Sequence, residues 1–339
     1  MQVQVNINNM TLEETMEFAE TLFNTDPSGK QVIFDISNWK TFKPFSMLFI
    51  GAIIRAYRNS YREIPFRFNR FEGKCYSYAG TMGFFKYINE HIEIGKLPGE
   101  AKGSKNYIPI TSIDFDELFE NELIDGKKEN MIEDEAKKLA CIIDRGNKEL
   151  NKVLIYLIRE IIRNTFEHAD TSKVWICGQY WPSKNLAEIA ILDEGKGIFE
   201  SLISNVSHQV YIEDNRSALQ YAVKPGISES FGPSQKKKSY DVWENSGYGL
   251  YVASELCKEL NGSFCIASSE DYMIVNNKGV SFGKTTFHGT AISIQVSTNL
   301  ISNANKIIED ISSKGEEEAK NIRNSFKKAS VPSKGLMGD

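Results

Sequence analysis

The sequence predicts an α+β protein made of two consecutive units, a small α/β unit followed by a mixed α/β sandwich. Strands alternate with helices over residues 1–112, which is typical of a sheet covered by helices. An acidic, polar stretch with a turn-forming D-G-K-K separates the two units, so we expect a linker at residues 113–130. Helical runs and then β-rich runs follow. The chain of 339 residues is long enough for two ordinary cores.

The first unit is predicted from alternation and from helix-start signals. Thr11 precedes Glu14 by three positions, as in a capping box, and Pro44 stands where a helix often begins. In chain order we expect a strand at residues 3–7, a helix from residue 12 to 22, a strand at 31–36, a helix over 47–57, a strand at 65–68 and a helix over 76–87.

This order, with V-I-F-D-I-S at residues 32–37, resembles the STAS domain, the fold of anti-anti-sigma factors. The resemblance implies a domain at residues 1–112 that binds a protein partner. Regulated members carry Asp-Ser-Ser-Gly or similar at a helix start, whereas this chain has Lys43-Pro44-Phe45-Ser46. Ser46 is a phosphoacceptor by position only, and a serine there is more often a cap or a packing residue. The switch function is therefore not carried over.

The second unit is predicted to be a largely antiparallel sheet with helices on one face. Two helices are expected at residues 133–143 and 148–168, on either side of an R-G-N break. Strands are expected at residues 174–180, 186–192, 263–268 and 290–296, with a hairpin-like pair around 276–279. Residues 299–339 turn polar and predict a short helix followed by disorder.

The helix over residues 148–168 carries the first functional pattern. Glu160, Asn164 and His168 recur every four positions, and each such step drifts only about 40° around a helix axis. They form a narrow polar stripe beside an apolar stripe, which consists of Leu154, Ile158, Ile161 and Ile162. The polar stripe would face a cavity if the apolar stripe packs on the sheet; an ordinary amphipathic helix gives the same pattern.

Two glycine motifs follow at later positions. D-E-G-K-G-I at residues 193–198 follows the apolar strand 189–192, and N-S-G-Y-G-L at 245–250 opens a helical run at 251–260. Gly289-Thr290 then leads into the last strand. Glycine lets a backbone turn sharply or approach a ligand, and the start of a helix favours phosphate. Any one of these motifs alone would indicate only a turn.

Together the stripe and these motifs resemble the N, G1 and G2 boxes of the GHKL superfamily of ATP-binding domains, which includes gyrase, the mismatch-repair ATPase, a heat-shock chaperone and the histidine kinases. The N-box pattern is most similar to that of the anti-sigma-factor kinases. The resemblance covers residues 131–298 and implies a Bergerat-type α/β sandwich that binds ATP and Mg²⁺.

The resemblance also assigns roles to residues. Asn164 would present a neutral oxygen to Mg²⁺, and Asp193 would accept a hydrogen bond from the adenine amino group. The remaining nucleotide-binding residues would be Gly195, Gly197, Gly247, Gly249, Leu250 and Thr290. Residues 198–246 resemble the ATP lid, in which Lys237 of a lysine run would reach the γ-phosphate; a lysine run is also typical of a solvated loop.

Glu160 separates the subclasses that the resemblance allows. A glutamate four residues before the asparagine is placed to orient or deprotonate an attacking water, so Glu160 would be the catalytic residue and His168 a supporting one. We expect a slow ATPase whose lid closure acts as a switch for a protein partner. Two alternatives remain open: a protein serine/threonine kinase of the anti-sigma type, and a nucleotide-sensing module that binds ATP without turnover.

Composition limits the remaining function classes. A net charge of −5 gives no overall attraction to polyanions, so nucleic acid is not an expected partner. The five cysteines and four histidines are dispersed, which predicts reduced thiols and no zinc site. No apolar run approaches membrane-span length, and residues 1–5 lack the form of a signal peptide. We expect a cytoplasmic protein without membrane contact, and a homodimer is allowed.

Overall fold

The computed structural model describes residues 2–69, 74–120, 128–229 and 246–330. These residues contain a three-stranded parallel sheet and a five-stranded antiparallel sheet. The protein is therefore of the α+β class, as the sequence predicts. Among the helices within these ranges, none combines the length and the apolar character that a bilayer crossing requires.

The parallel sheet and its helices form the N-terminal part. Its elements are β1 Gln2–Asn6, α1 Leu12–Phe23, β2 Gln31–Asp35, α2 Pro44–Ser60, β3 Phe66–Phe68, α3 Lys74–Thr81 and α4 Phe84–Ile88. The predicted capping box is confirmed, since the Glu14 N–H donates to Thr11 Oγ1 at 3.2 Å. The predicted helix start at Pro44 is also confirmed, because Pro44 opens α2. The predicted helix over residues 76–87 is two helices instead, because Gly83 adopts a left-handed φ of 87° between them.

The second sheet has the strand order β4-β5-β6-β8-β7. Its strands are β4 Tyr107–Asp114, β5 Lys173–Trp181, β6 Leu186–Asp193, β7 Ser263–Asn276 and β8 Gly279–Ser297. The hairpin at residues 276–279 is confirmed. β4 was not predicted, and it begins before the predicted boundary at residue 113. β4 contains Pro109, which lies at an irregularity in the pairing with β5. Because a proline argues against a strand except at an edge or a bulge, Pro109 hid this strand in the sequence.

The helices of this part complete the fold. They are α5 Phe115–Phe119, α6 Lys128–Ile143, α7 Lys148–His168, α8 Ile198–Ile203, α9 Val206–Gln209, α10 Asn215–Ala222, α11 Gly249–Glu259 and α12 Ala304–Ala319. The predicted span of α7 is confirmed. After α12 the sequence predicted disorder, but the described chain up to residue 330 makes hydrogen bonds with the rest of the protein. The Phe326 N–H donates to the Gly226 carbonyl at 2.8 Å, and the Tyr248 hydroxyl donates to the Phe326 carbonyl at 3.1 Å.

Helices cover both faces of the five-stranded sheet. Ile189 and Ile292 share one core cluster with α7 and α11, whereas Ala190 and Ala291, on the opposite face, share another with α1 and α2. The sequence predicted helices on one face only. β6 is buried on both sides along nearly its whole length, and a strand of that kind needs cover on both faces. The Phe45 N–H also donates to the buried Glu188 carboxylate at 3.0 Å, which ties the start of α2 to this sheet.

Candidate functional site

A cavity lies between α7, the end of β6, the start of α11 and the segment carrying α8 and α10. Residues from each predicted motif line it, namely Asn164, His168, Asp193, Gly197, Gly247, Gly249, Leu250 and Thr290. Gly195 and Glu160 lie outside its wall, and Lys237 falls outside the described residues. Residues far apart in sequence thus meet at one concave site.

The helix α7 presents two of the three polar-stripe residues to the cavity because most of its apolar stripe is packed under the sheet. Ile158 and Ile162 are completely buried in the core under the sheet, while Asn164 and His168 reach the cavity. The helix start is fixed by Asn147, whose side chain accepts hydrogen bonds from the Glu149 and Leu150 N–H groups at 3.0 Å. The sheet therefore holds the functional face of α7 in place.

Asp193 forms part of the cavity wall at the end of β6 and is only 3% exposed. Its carboxylate accepts the Gly195 N–H at 3.1 Å, the Thr165 hydroxyl at 3.4 Å and the Thr290 N–H. Burial raises the pKa of Asp193 to about 7, although these hydrogen bonds act in the opposite direction. Near neutral pH this carboxyl can therefore accept a hydrogen bond when ionised or donate one when protonated.

Asn164 is the wall residue best suited to a metal ion. Its side-chain Nδ2 is buried and has no hydrogen-bond partner among the described residues. An amide group can exchange the positions of its nitrogen and oxygen, so this side chain can present an oxygen to the cavity. A neutral oxygen suits Mg²⁺, which keeps several waters and uses few protein ligands. The described residues hold no cluster of three or more His, Cys, Asp or Glu that could bind a metal ion.

The glycines of the two motifs serve the packing of the protein on itself. That they let the backbone approach a ligand stays a prediction; on the Cβ side of each, the space is filled by protein atoms. A Cβ at Gly195 would overlap the Ala169 carbonyl oxygen, and one at Gly249 would lie 2.6 Å from Glu160 Oε2. Gly247 has a left-handed φ of 69° besides. Each glycine therefore lets one wall element approach another closely.

Glu160 lies directly behind Gly249 and is only 3% exposed. Its Oε1 accepts hydrogen bonds from Arg159 Nε at 3.1 Å and Arg159 Nη2 at 2.9 Å. Arg159 also lies 3.6 Å from Glu133 on α6, so Glu160 belongs to a buried ionic network. Removing one member of such a network leaves a buried charge unpaired, at a cost of about 3–5 kcal/mol.

A second carboxylate, Glu229, lies in the cavity wall and collects several side-chain donors. Ser201 Oγ donates to it at 2.7 Å and Ser204 Oγ at 2.9 Å, and His168 Nδ1 lies 3.3 Å away. Lys196 Nζ lies 3.8 Å from Glu229 Oε1. Burial opposes ionisation, but the hydrogen bonds from His168 and the serines outweigh it and lower the pKa of Glu229 to about 2. Glu229 is therefore an anion at neutral pH.

Sequence reasoning missed several wall residues. Thr165 and Lys196 lie inside the motifs, directly after Asn164 and within D-E-G-K-G, so their position alone could have indicated them. Ser201, Ser228 and Glu229 belong to the long segment between the glycine motifs, which carries no local pattern. Ser268 also supports the site from β7, since it accepts the Ile198 N–H at 3.0 Å and donates to the Gly289 carbonyl at 2.8 Å. Only the fold brings these residues together.

Comparison with known proteins adds no relative. No protein-family model matches the chain, and no curated protein or solved structure matches it either.

Proposed function

We propose that this protein binds ATP with Mg²⁺ in the cavity and hydrolyses it slowly, as a switch for a protein partner. The observation that carries the proposal is the convergence of Asn164, Asp193 and the start of α11 on one cavity. We also infer that the five-stranded sheet with α6, α7 and α11 is a Bergerat-type sandwich of the GHKL superfamily.

The residues of the wall suit the parts of such a ligand. Asp193 is a buried carboxyl held by backbone donors, which suits recognition of the adenine amino group. Asn164 offers an amide oxygen for Mg²⁺, the ion that would neutralise phosphate charge. The first residues of α11, Gly249 and Leu250, lie in the wall, and the start of a helix favours phosphate. The described part of the lid would be α8 to α10.

Glu160 would accept a proton from the attacking water during hydrolysis. Its carboxylate is held in place by Arg159 Nε and Nη2. The partner would bind the N-terminal part, on surfaces other than the faces of α1 and α2 that pack on the sheet.

A second candidate function is ATP sensing without turnover. It is favoured by the position of Glu160, which is held by Arg159 and lies behind Gly249, outside the cavity wall. In this case the site would bind ATP, and the bound state itself would be the signal to the partner.

Calorimetric titration with ATP, in Mg²⁺ and in chelator, tests the binding site. Asp193→Asn should lose about 2–3 kcal/mol of binding free energy because it leaves a mispaired polar group in the pocket. Asp271→Asn is the matched control, since Asp271 is also buried but lies on β7 and pairs with Lys284 outside the cavity. Asn164→Ala should weaken binding much more with Mg²⁺ than without. Unchanged ATP binding by Asp193→Asn would refute the proposed pocket.

Release of labelled phosphate separates the two candidate functions. Glu160→Gln removes one charge of the buried network but can still accept hydrogen bonds from Arg159, which also pairs with Glu133. With thermal unfolding showing that the variant is folded, ATP affinity should persist while turnover falls about 10²–10⁴-fold. Binding by the parent with no phosphate release would leave the sensing function. Label transferred to a protein serine instead of water would indicate the kinase alternative.

A further inference from the structure

A second concave site lies in the N-terminal part, where α2 ends beside β3 and α4; we call it the arginine pocket. Three arginines line it, Arg55 and Arg58 from α2 and Arg62 from the turn that follows. The rest of its wall is apolar or neutral and consists of Asn59, Ile64, Pro65, Phe66, Ile88 and Asn89. Glu63 and Glu90 are next to wall residues in the chain but lie outside the wall, so among the described residues no carboxylate lines the pocket.

The protein already uses the charge of one arginine and leaves the other two without a counter-charge. Arg55 pairs with Glu194, and its guanidinium carbon lies 4.4 Å from the centre of the Tyr87 ring. Arg58 and Arg62 form no ion pair with the residues that the structure describes. Burial lowers the pKa of Arg58, and no neighbouring carboxylate offsets this effect. A guanidinium nevertheless stays protonated, so the pocket holds two positive charges that an anionic ligand can neutralise.

Arg58 is positioned to receive such a ligand. Its Nη1 donates to the Ile88 carbonyl at 3.1 Å, and its guanidinium carbon lies 5.8 Å from the centre of the Phe66 ring. A guanidinium has five N–H donors in a planar fork, so its remaining donors can bind both oxygens of a carboxylate. Arg62 is exposed, and its long side chain can reach a second carboxylate.

We propose that the arginine pocket binds an acidic segment of a protein partner, with carboxylates at Arg58 and Arg62 and an apolar side chain against the neighbouring apolar wall. The inference names the chemistry of the partner in the proposed function and rests on that function only in this respect. The pocket itself shares no wall residue with the nucleotide cavity.

The composition of the wall favours a peptide over other anions. Ile64, Pro65 and Phe66 offer apolar contact, which a peptide side chain can use and a bare phosphate cannot. A long polyanion such as nucleic acid would also meet the rest of a chain whose net charge is −5, whereas a short acidic segment meets mainly the pocket.

Fluorescence anisotropy on the full chain at low ionic strength tests the pocket with a fluorescein-labelled Glu-Glu-Leu-Glu-Glu-amide peptide. The parent should bind it, and a peptide with Gln in place of each Glu should not bind. Arg62→Gln removes one charge-assisted contact and should weaken binding about tenfold. Arg58→Gln should weaken binding at least as much, with thermal unfolding showing that each variant is folded. Arg67→Gln is the matched control, because it removes the same charge from an exposed position on β3 outside the pocket, and it should leave the affinity unchanged.

The outcomes separate this inference from the proposed function. If the parent does not bind the acidic peptide, or if Arg62→Gln and Arg67→Gln bind it alike, the pocket is refuted. If inorganic phosphate displaces the labelled peptide as well as unlabelled peptide does, the site binds free anions and the partner segment is refuted. ATP binding, measured by calorimetry, should be the same for Arg62→Gln and the parent. A protein that binds the peptide through Arg62 but does not bind ATP would keep the arginine pocket and lose the proposed function.

Discussion

The pKa values of two carboxylates in one cavity wall are shifted in opposite directions. Asp193 is 3% exposed and accepts mainly backbone donors, and burial raises its pKa to about 7. The Glu229 side chain is 24% exposed; burial opposes its ionisation too, but His168, Ser201 and Ser204 lower its pKa to about 2. The difference shows that donor number and type, together with access to water, decide the charge state of an acid in this cavity.

The two acids are also fixed in different ways. Asp193 ends a strand whose neighbour β8 pairs with it at Thr290, so the sheet sets its position. Glu229 is held by side chains from separate elements, namely α7, the turn after β6, and α8 with its end. We therefore expect burial to control the charge of Asp193 and the side-chain donors to control the charge of Glu229. The following measurements test this contrast.

The largest expected effect is a pH dependence of stability caused by Asp193. The unfolded carboxyl ionises near its ordinary pKa of 3.8, while the folded one holds its proton to about pH 7. The associated stability is fully present below pH 3.8 and is lost as the pH rises through 7, by about 4 kcal/mol in total. Urea unfolding of the parent and Asp193→Asn from pH 4 to 8 should show the parent losing stability relative to the variant. If the unfolding free energies of the two proteins change with pH in parallel, the raised pKa of Asp193 is contradicted.

Glu229 should show the opposite sign and a smaller size. Its folded pKa of about 2 is below the ordinary 4.5, so its contribution is present above pH 4.5 and is lost as the pH falls through 2. Allowing for its partial exposure, the contribution is about 2 kcal/mol. Glu229→Gln should thus be less stable than the parent at pH 7, and urea unfolding at pH 3 should show a smaller gap. A gap that stays constant with pH would mean that the charge of Glu229 is not stabilised by its donors.

The contrast also explains what the sequence could predict. The span of α7, the strand before Asp193 and the helix that follows the second glycine motif can be predicted from local periodicity and turn chemistry, so the Asp193 side of the site could be identified from short motifs. Nothing in the sequence next to Glu229 indicates its role, because its serine donors lie 28 and 25 positions earlier in the chain. The pairing of β4 and the cover of the second sheet face by α1 and α2 are likewise long-range, and Pro109 obscured β4 locally.

The smallest expected effect concerns Thr165, which is 5% exposed and donates its hydroxyl to Asp193 Oδ2 at 3.4 Å. Thr165→Val keeps the shape and removes this donor, so the pKa of Asp193 should rise further. A long hydrogen bond of this kind contributes about 0.5 kcal/mol, and it acts on the ionised carboxylate. Urea unfolding should therefore show the loss at pH 8 but not at pH 5, where Asp193 is protonated in the folded protein. Thr165→Ser keeps the hydroxyl and removes a methyl group, so its loss should be the same at both pH values. If Thr165→Val also loses the same stability at pH 5 and at pH 8, the Thr165 hydroxyl contributes only to packing and does not stabilise the charge of Asp193.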